Sequence, residues 1–132
     1  MSGEDHNWNW IGEEVALAAH DAMIAAFGGL GGVRDLGALQ SALARPRHLA
    51  AYGSPDVAAL AASHAYGISR GHPFSDGNKR AGYSLALVFL LDNGFAFMGT
   101  DIESITAMVE VAAGTLSEAE LASWFRARIR PL

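Results

Sequence analysis

Apolar residues recur at helical spacing along most of the chain, while β-branched residues are too sparse and scattered to form a sheet. The first predicted helix covers about 12–27 and stops at the glycine-rich segment 28–32, because glycine weakens helices and accepts the positive φ of a helix end. A second helix follows Asp35 and runs to about Ala44, with Pro46 just beyond its end. The glycine-rich segment is therefore predicted to be a flexible connection between two helices.

A third helix is predicted to begin at the Ser-Pro-Asp sequence that follows Gly53. Ser54 is suited to cap it, Pro55 fits the first turn, and Asp56 favours the positive end of the helix dipole. Helical spacing then places one set of residues on a common face: Val57, Leu60, Ala61, His64 and Ile68. We expect this face to pack against the rest of the protein.

The fourth predicted helix begins near Gly77 or Asn78 and ends at the Asn-Gly pair at 93–94, a good left-handed stop signal. Its middle segment, 85–91, is apolar all round, and a helix of that kind is usually buried on every side. We therefore predict that it forms the centre of a bundle. Gly82 within it is interpreted as a packing detail that slightly weakens the helix.

The last part of the chain carries two capping signals. After a short extended link at 95–97, Thr100 with Glu103 and Ser117 with Glu120 match the capping-box pattern, so each pair opens a helix. These helices carry the apolar residues Ile102, Ile105 and Val109, then Leu121, Trp124, Phe125 and Ile129. The predicted fold is all-α, a compact bundle of about six helices around a central buried helix, with no sheet beyond a hairpin.

Composition adds limits to this fold. The 132 residues suit one compact domain, and 51% hydrophobic residues supply enough apolar material for a core. We predict a single domain over 1–132 in which 1–10 form an N-terminal extension. Trp8 and Trp10 in that extension are expected to pack against the bundle.

Charge and cysteine usage bear on location and partners. The net charge of −5 argues against general nucleic-acid binding, and the absence of cysteine excludes disulfides and thiolate metal sites. The polar, acidic start at 1–6 is unlike a secretory signal, and the longest strongly apolar run, 85–91, is far shorter than the ~20 residues that span a bilayer. We expect a cytoplasmic protein with no direct nucleic-acid or membrane partner.

One segment, 70–80, does not suit the needs of a bundle. It reads Arg-Gly-His-Pro-Phe-Ser-Asp-Gly-Asn-Lys-Arg and joins the third and fourth helices. Lys79 and Arg80 fall in the first turn of a helix, where unpaired N–H groups already make a positive end. Two cations are unfavourable there unless an anion receives them together with the N–H groups. The segment therefore predicts a phosphate-binding site.

The other residues of this loop suit phosphate chemistry. Gly77 lets a phosphate approach the backbone, and Asn78 can cap the helix or donate to the same oxygens. Asp76 is the only carboxylate in the loop and is suitably placed to hold Mg²⁺ against phosphates. His72 can take a proton from an attacking hydroxyl at neutral pH. Because a proline follows it, its backbone is predicted to be extended.

Two further loop residues have supporting roles. Phe74 is apolar in a polar loop and is predicted to plug the core and hold the loop rigid, while Arg70 adds charge for the terminal phosphate. Taken singly, each residue is ordinary turn chemistry. Ordinary turn chemistry does not explain all of these residues in this order, with two cations at the start of a helix. Zinc binding by His64, His72 and Asp76 is the weaker alternative, since a histidine on an apolar helical face is more often a hydrogen-bonded core residue.

The loop resembles the signature of the Fic/Doc family, in particular its Doc (death-on-curing) branch, which reads His-x-Phe-x-Asp-(Ala/Gly)-Asn-Lys-Arg. Further segments that resemble the family are His20-Asp21, 28–30, 32–35, 43–46, 87–90 and 93–94. The resemblance covers roughly 10–128. Two positions depart from the pattern of the adenylylating Fic branch: Lys79 replaces its second glycine, and Tyr83 stands where its second arginine would be. The resemblance therefore implies transfer of the γ-phosphate of ATP rather than of AMP.

What the resemblance implies is a toxin kinase that phosphorylates a threonine of translation elongation factor Tu and is neutralised by an antitoxin whose disordered tail folds on binding. It implies His72 as the base and Asp76 as acting through Mg²⁺. Asn78 and Lys79 would bind phosphates, and the residues that would stabilise charge in the transition state are Arg80 and Arg70. Two alternatives stay open: an adenylyltransferase that uses the same loop, and a catalytically inactive domain that only binds a partner.

Overall fold

The computed structural model describes residues 7–132, which form six helices and two short strands. The segment 1–6, on which the expectation about a signal peptide rests, lies outside the described residues, as does that part of the N-terminal extension. The elements are α1 (Glu13–Phe27), α2 (Leu36–Tyr52), α3 (Val57–Gly71), α4 (Asn78–Asp92), β1 (Phe95–Phe97), α5 (Asp101–Ala113), α6 (Glu118–Arg126) and β2 (Ile129–Pro131). The all-α bundle is confirmed.

Helix α2 runs past the end that the sequence predicted. Pro46 was expected to follow the helix, but it lies inside and is buried. Proline in a helix interior removes one backbone hydrogen bond. Here the buried residues Leu39, Ala42, Leu43 and Pro46 are spaced by three and four and form one continuous face. Packing of that face keeps the helix intact through the proline.

Helix α3 begins two residues later than predicted. Its N-cap is Asp56, whose Oδ1 accepts a hydrogen bond from the N–H of Ala59 at 2.9 Å, so the prediction of Ser54 as the cap is wrong. The same carboxylate also forms a two-pronged ion pair with Arg126 of α6, at 2.6 and 2.9 Å. This pair holds the pKa of Asp56 below its usual value. A carboxylate that serves two partners is a better cap here than the serine hydroxyl.

The central buried helix is α3 rather than α4. Every residue of its predicted apolar face is buried, and so are most residues of its other faces. By contrast, the prediction that α4 is buried on every side is wrong, because Leu91 is 60% exposed. α3 can be surrounded by other helices because its side chains are small: it is built largely from alanine, serine and glycine. Small side chains let α2, α4 and α6 all pack closely around it.

Gly82 allows the closest of these approaches. A Cβ placed on Gly82 would lie 2.7 Å from the carbonyl oxygen of Ala65 in α3. On the opposite side of α3, Gly67 lies against Ala42 of α2 at an ordinary contact distance of 3.5 Å. The interpretation of Gly82 as a minor weakening of α4 is therefore incomplete, because α3 and α4 could not lie this close with any side chain at 82.

The two short strands pair with each other although they lie far apart in the sequence. β1 and β2 are antiparallel, with Phe95 opposite Pro131 and Phe97 opposite Ile129. Two helices lie between them, so they do not form a hairpin. Ile129 was predicted in the last helix, but α6 ends at Arg126 and Ile129 lies in β2. Both predicted capping boxes, at Thr100 and Ser117, are confirmed.

Helix α5 buries a different face from its most apolar one. Its buried residues are Ser104, Ala107, Met108 and Val111. Ile102, Ile105 and Val109 are at least half exposed. At the other end of the chain, Trp8 and Trp10 pack against Phe89, with ring centroids at 6.1 and 5.7 Å. Within 7–132, no helix combines the length and the apolar character that crossing a membrane requires.

We predict that Gly82→Ala destabilises the protein by about 1–3 kcal/mol, because the added methyl group overpacks the contact with Ala65. The matched control is Gly37→Ala in exposed α2 backbone, where a Cβ meets only Asp35 Oδ1 at 3.4 Å. That change should be neutral or slightly stabilising, because alanine has the higher helix propensity. Urea unfolding of both variants measures the difference, and equal stabilities would contradict the packing argument.

His64 is a buried core histidine. Its Nδ1–H donates to the carbonyl of Leu60 at 2.7 Å, and its ring lies against Phe89 with centroids 4.6 Å apart. Burial, together with the positive charge of Arg47, lowers the pKa of His64 to about 4. The ring is therefore neutral in the folded state at neutral pH, as expected for a core residue.

This burial predicts a pH dependence of stability. The unfolded chain takes up a proton on His64 near its ordinary pKa of 6.5, whereas the folded protein resists protonation until about 4. Stability is therefore present above pH 6.5 and is lost as pH falls toward 4, by about 2 kcal/mol between pH 7 and pH 5. Urea unfolding at both values measures this loss. His64→Gln should remove it, and His48→Gln, which changes an exposed histidine, should keep it.

Candidate active site

The loop between α3 and α4 begins with an unusual backbone conformation at His72. Its φ and ψ are 50° and 51°, and its N–H donates to the carbonyl of Ile68 at 3.2 Å, so it closes α3 as a left-handed cap. No other residue of 7–132, glycine apart, has a positive φ. The prediction of an extended backbone before Pro73 is therefore wrong. Left-handed backbone costs about 1–2 kcal/mol for a residue with a Cβ, so something must hold it.

A partner for this loop comes from the segment 32–35, between α1 and α2. The N–H groups of Arg34 and Asp35 both donate to the carbonyl of Pro73, at 2.8 and 3.0 Å. The N–H of Ser75 donates to the carbonyl of Gly32 at 3.1 Å, and Val33 forms an isolated antiparallel bridge with Phe74. The connection that was predicted to be merely flexible is thus a wall of the site.

The side chain of Arg34 adds to this wall. Its Nε and Nη2 both donate to the carbonyl oxygen of His72, at 3.1 and 2.6 Å. Arg34 was noticed in the sequence only as part of a resembling segment and was given no role. The sequence signal for such a role is a single cation placed between the glycine-rich segment 28–32 and the helix cap Asp35.

Beneath the loop lies His20 of α1. Its ring is buried and stacks on Phe74, with centroids 3.9 Å apart and an interplanar angle of 5°. Its Nε2 lies 2.8 Å from the carbonyl oxygen of Asp76. Because a carbonyl only accepts, Nε2 carries the proton. His20 therefore supports the loop through a ring face and a hydrogen bond, and Phe74, at 1% exposure, fills the core beneath the loop.

The side chain of Asn78 closes the loop from within. Its Nδ2 donates to the carbonyl of Phe74 at 3.1 Å, and its Oδ1 accepts from the N–H of the same residue at 3.0 Å. Both polar ends of the amide are therefore used inside the loop. In this arrangement the backbone N–H of Asn78, in the first turn of α4, is the group that remains for a phosphate.

Asp76 presents its carboxylate at the surface of the loop. Its Oδ1 accepts from the N–H of Gly77 at 2.9 Å, and its Oδ2 lies 3.4 Å from the N–H of Leu30. A Cβ on Gly29 would lie 2.7 Å from the same Oδ2, so only glycine leaves room for the carboxylate. Mg²⁺ in nucleotide sites is commonly held by one or two carboxylates together with phosphate oxygens and water. Exposed Asp76 fits that requirement.

The first turn of α4 carries two cationic side chains beside its free N–H groups. Gly77 caps the helix with φ of 75°, and a Cβ there would lie 2.8 Å from Met23 Cε. Lys79 and Arg80 follow and are exposed. The guanidinium of Arg80 lies over the ring of Phe27 at 4.4 Å. Neither cation forms an ion pair within the part of the chain that the structure describes. Unneutralised cations beside free helix N–H groups suit a phosphate.

Arg70 does not join this group. Its Nη1 donates to the carbonyl of Ala112 at 2.9 Å and lies 3.5 Å from that of Val111. Both carbonyls belong to the last turn of α5, where a cation suits the negative end of the helix dipole. The phosphate contact predicted for Arg70 is therefore not supported by this arrangement, because the guanidinium is engaged with α5.

The comparisons with known proteins identify the family of the chain. The model of the Fic/DOC family matches residues 10–90. The chain is 34% identical over 118 residues to the protein kinase doc of Escherichia phage P1, which covers 88% of this chain and 92% of that protein. It is also 42% identical over 72 residues to the toxin Doc of Mycolicibacterium smegmatis, which covers 52% and 55%. The chain therefore belongs to the Fic/DOC family, and within it to the Doc branch.

Proposed function

We propose that this chain is the toxin of a toxin–antitoxin pair and transfers the γ-phosphate of ATP to a serine or threonine hydroxyl of a translation factor, with elongation factor Tu as the expected substrate. The observation that carries the proposal is the start of α4. There Lys79 and Arg80 lie without ion-pair partners in the described chain, directly after the loop that carries His72 and Asp76. The name of the phage relative, protein kinase doc, supports phosphate transfer, and the name of the mycobacterial relative, toxin Doc, supports the toxin role.

His72 is the proposed base. It lies just beyond α3, exposed, with its N–H bonded to Ile68 and its carbonyl bonded to the guanidinium of Arg34. An exposed ring on a held backbone can meet the hydroxyl of a protein substrate and take its proton as the oxygen attacks phosphorus. No covalent intermediate on the enzyme is needed, because phosphoryl transfer depends mainly on positioning and on charge stabilisation.

Lys79, Arg80 and the first N–H groups of α4 are proposed to hold the phosphates and to stabilise the charge that spreads over the transferred group. Asp76 would hold Mg²⁺, which supplies neutralisation of charge between neighbouring phosphates when it is bound. Arg70 belongs to this proposal only if it leaves the carbonyls of α5. Asn78 would contribute its backbone N–H rather than its amide.

Lys79 favours γ-phosphate transfer over AMP transfer. In the adenylylating Fic pattern this position is glycine, which leaves a backbone pocket for an additional phosphate. A lysine side chain at this position would fill that space with its charge, so the nucleotide should be held differently. This residue is the specific reason to rank the kinase above the adenylyltransferase.

The proposed partners follow from the same assignment. A toxin of this kind needs a cognate antitoxin, and we propose one whose disordered tail folds on binding. Such coupled folding suits neutralisation, because a folding tail can wrap a large surface. We also propose that the protein acts in the cytoplasm, where ATP, Mg²⁺ and the translation machinery are found together.

The reaction type can be tested with ATP labelled separately at the α and γ phosphates. Incubated with purified elongation factor Tu and Mg²⁺, the protein should transfer the γ label only. His72→Ala should transfer the γ label at only a small residual rate, because no base then takes the proton of the acceptor hydroxyl. Transfer of the α label would establish the adenylyltransferase alternative. Growth arrest by His72→Ala equal to that caused by the parent protein would favour the inactive binding domain.

Nucleotide binding can be tested apart from catalysis, because Lys79 is the only lysine in the sequence. Reductive ¹³C-methylation should label Lys79 and the terminal amine alone. Addition of Mg²⁺–ATP is expected to shift the Lys79 signal and leave the terminal signal in place, since only the lysine meets phosphate. In unmodified protein, Lys79→Ala and Asp76→Ala should lose transfer while unfolding as the parent does, because both side chains are exposed. An unmoved lysine signal at saturating ATP would contradict the proposed phosphate site at the start of α4.

A further inference from the structure

We propose that Arg34 is a positioning residue for His72: its guanidinium holds the His72 carbonyl and thereby keeps the left-handed backbone that sets the direction of the ring. The inference rests on the proposed role of His72 as the base. It assigns a function to a residue outside the α3–α4 loop, in the connection between α1 and α2.

The first step is that the conformation of His72 is not the one its sequence favours. The residue before a proline prefers extended backbone, yet His72 has φ of 50° and ψ of 51°. Left-handed backbone at a residue with a Cβ is strained, and such strain persists only where surrounding contacts fix it. The cap bond to Ile68, at 3.2 Å, is one such contact.

The second step is that Arg34 supplies the strongest contact at this point. Two donors of one guanidinium, Nε and Nη2, converge on the His72 carbonyl at 3.1 and 2.6 Å. Hydrogen bonds from a charged donor are stronger than neutral ones. Rotating His72 back to extended backbone would turn its carbonyl away from both donors. The bonds therefore oppose relaxation of the strained residue.

The third step is that the guanidinium can be tested separately from the backbone that carries it. The N–H of Arg34 donates to the carbonyl of Pro73, and the N–H of Asp35 does the same. A change of side chain at 34 leaves these bonds in place. The wall of the site should therefore persist in a variant, and only the hold on His72 is lost.

The experiment compares Arg34→Met, which keeps an apolar stem of similar length, with Arg34→Lys, which keeps the charge but not the forked donors. Arg130→Met is the matched control, since Arg130 is also an exposed cation but lies in β2. For each variant, kcat and KM for ATP are measured with elongation factor Tu as acceptor. Thermal unfolding is followed in parallel.

We expect Arg34→Met to lower kcat roughly tenfold to a hundredfold, as misplacement of a base does, with KM for ATP nearly unchanged. Arg34→Lys should recover part of kcat, and Arg130→Met should match the parent. The unfolding temperature should stay within about 2 °C, because the strain released when His72 relaxes to extended backbone offsets the lost hydrogen bonds. If the role of Arg34 were purely structural, Arg34→Met would lower the unfolding temperature and would not lower kcat selectively while leaving KM unchanged.

A double variant shows whether Arg34 acts through His72. If it does, adding Arg34→Met to His72→Ala should lower the residual rate no further, because the ring being positioned is already absent. Additive losses, or a parent-like kcat in Arg34→Met, would overturn the proposal.

Failure of the proposed function is distinguishable from failure of this inference. If the parent protein transfers no phosphate, the proposed activity is wrong, and the backbone of His72 still decides the positioning claim. Crystal structures of the parent and of Arg34→Met should then show His72 left-handed in the first and extended in the second. A left-handed His72 in both would overturn the inference.

Discussion

The close packing of α3 against α4 is the constraint on which the rest of the structure depends. With no side chain at Gly82, the backbone of α4 lies directly on the carbonyl of Ala65, and the small residues of α3 leave room for its other neighbours. The end of α3 and the start of α4 are thereby fixed beside each other. The six residues between them have little choice of path, so the position of the loop is set by the core.

Hydrogen bonding inside the loop leaves its charges for another use. Asn78 satisfies the backbone of Phe74, and His20 satisfies the carbonyl of Asp76. Lys79 and Arg80 take no part in these bonds, although they stand at the positive end of a helix. A fold that needed them for its own stability would neutralise them. Their exposure is the electrostatic ground for assigning this end of α4 to an anionic ligand.

The sequence predicted the elements well and the long-range contacts poorly. Helix limits at α1 and α4 and both capping boxes follow from local signals, which are written in neighbouring residues. Pro46 inside α2 and the exposure of Leu91 depend on what packs against a helix, which no local pattern states. The role of Arg34 is not written in any local pattern for the same reason, because its partner lies 38 residues away.

Three parts of the protein hold the loop in shape. They are the side-chain amide of Asn78, His20 of α1 and the backbone of the segment 32–35. A nucleotide that arrives there does not have to order a disordered segment. Association loses less conformational entropy when the receptor is already in its bound form. For the nucleotide proposed to bind there, more of the attraction between phosphate and cations would therefore appear as affinity.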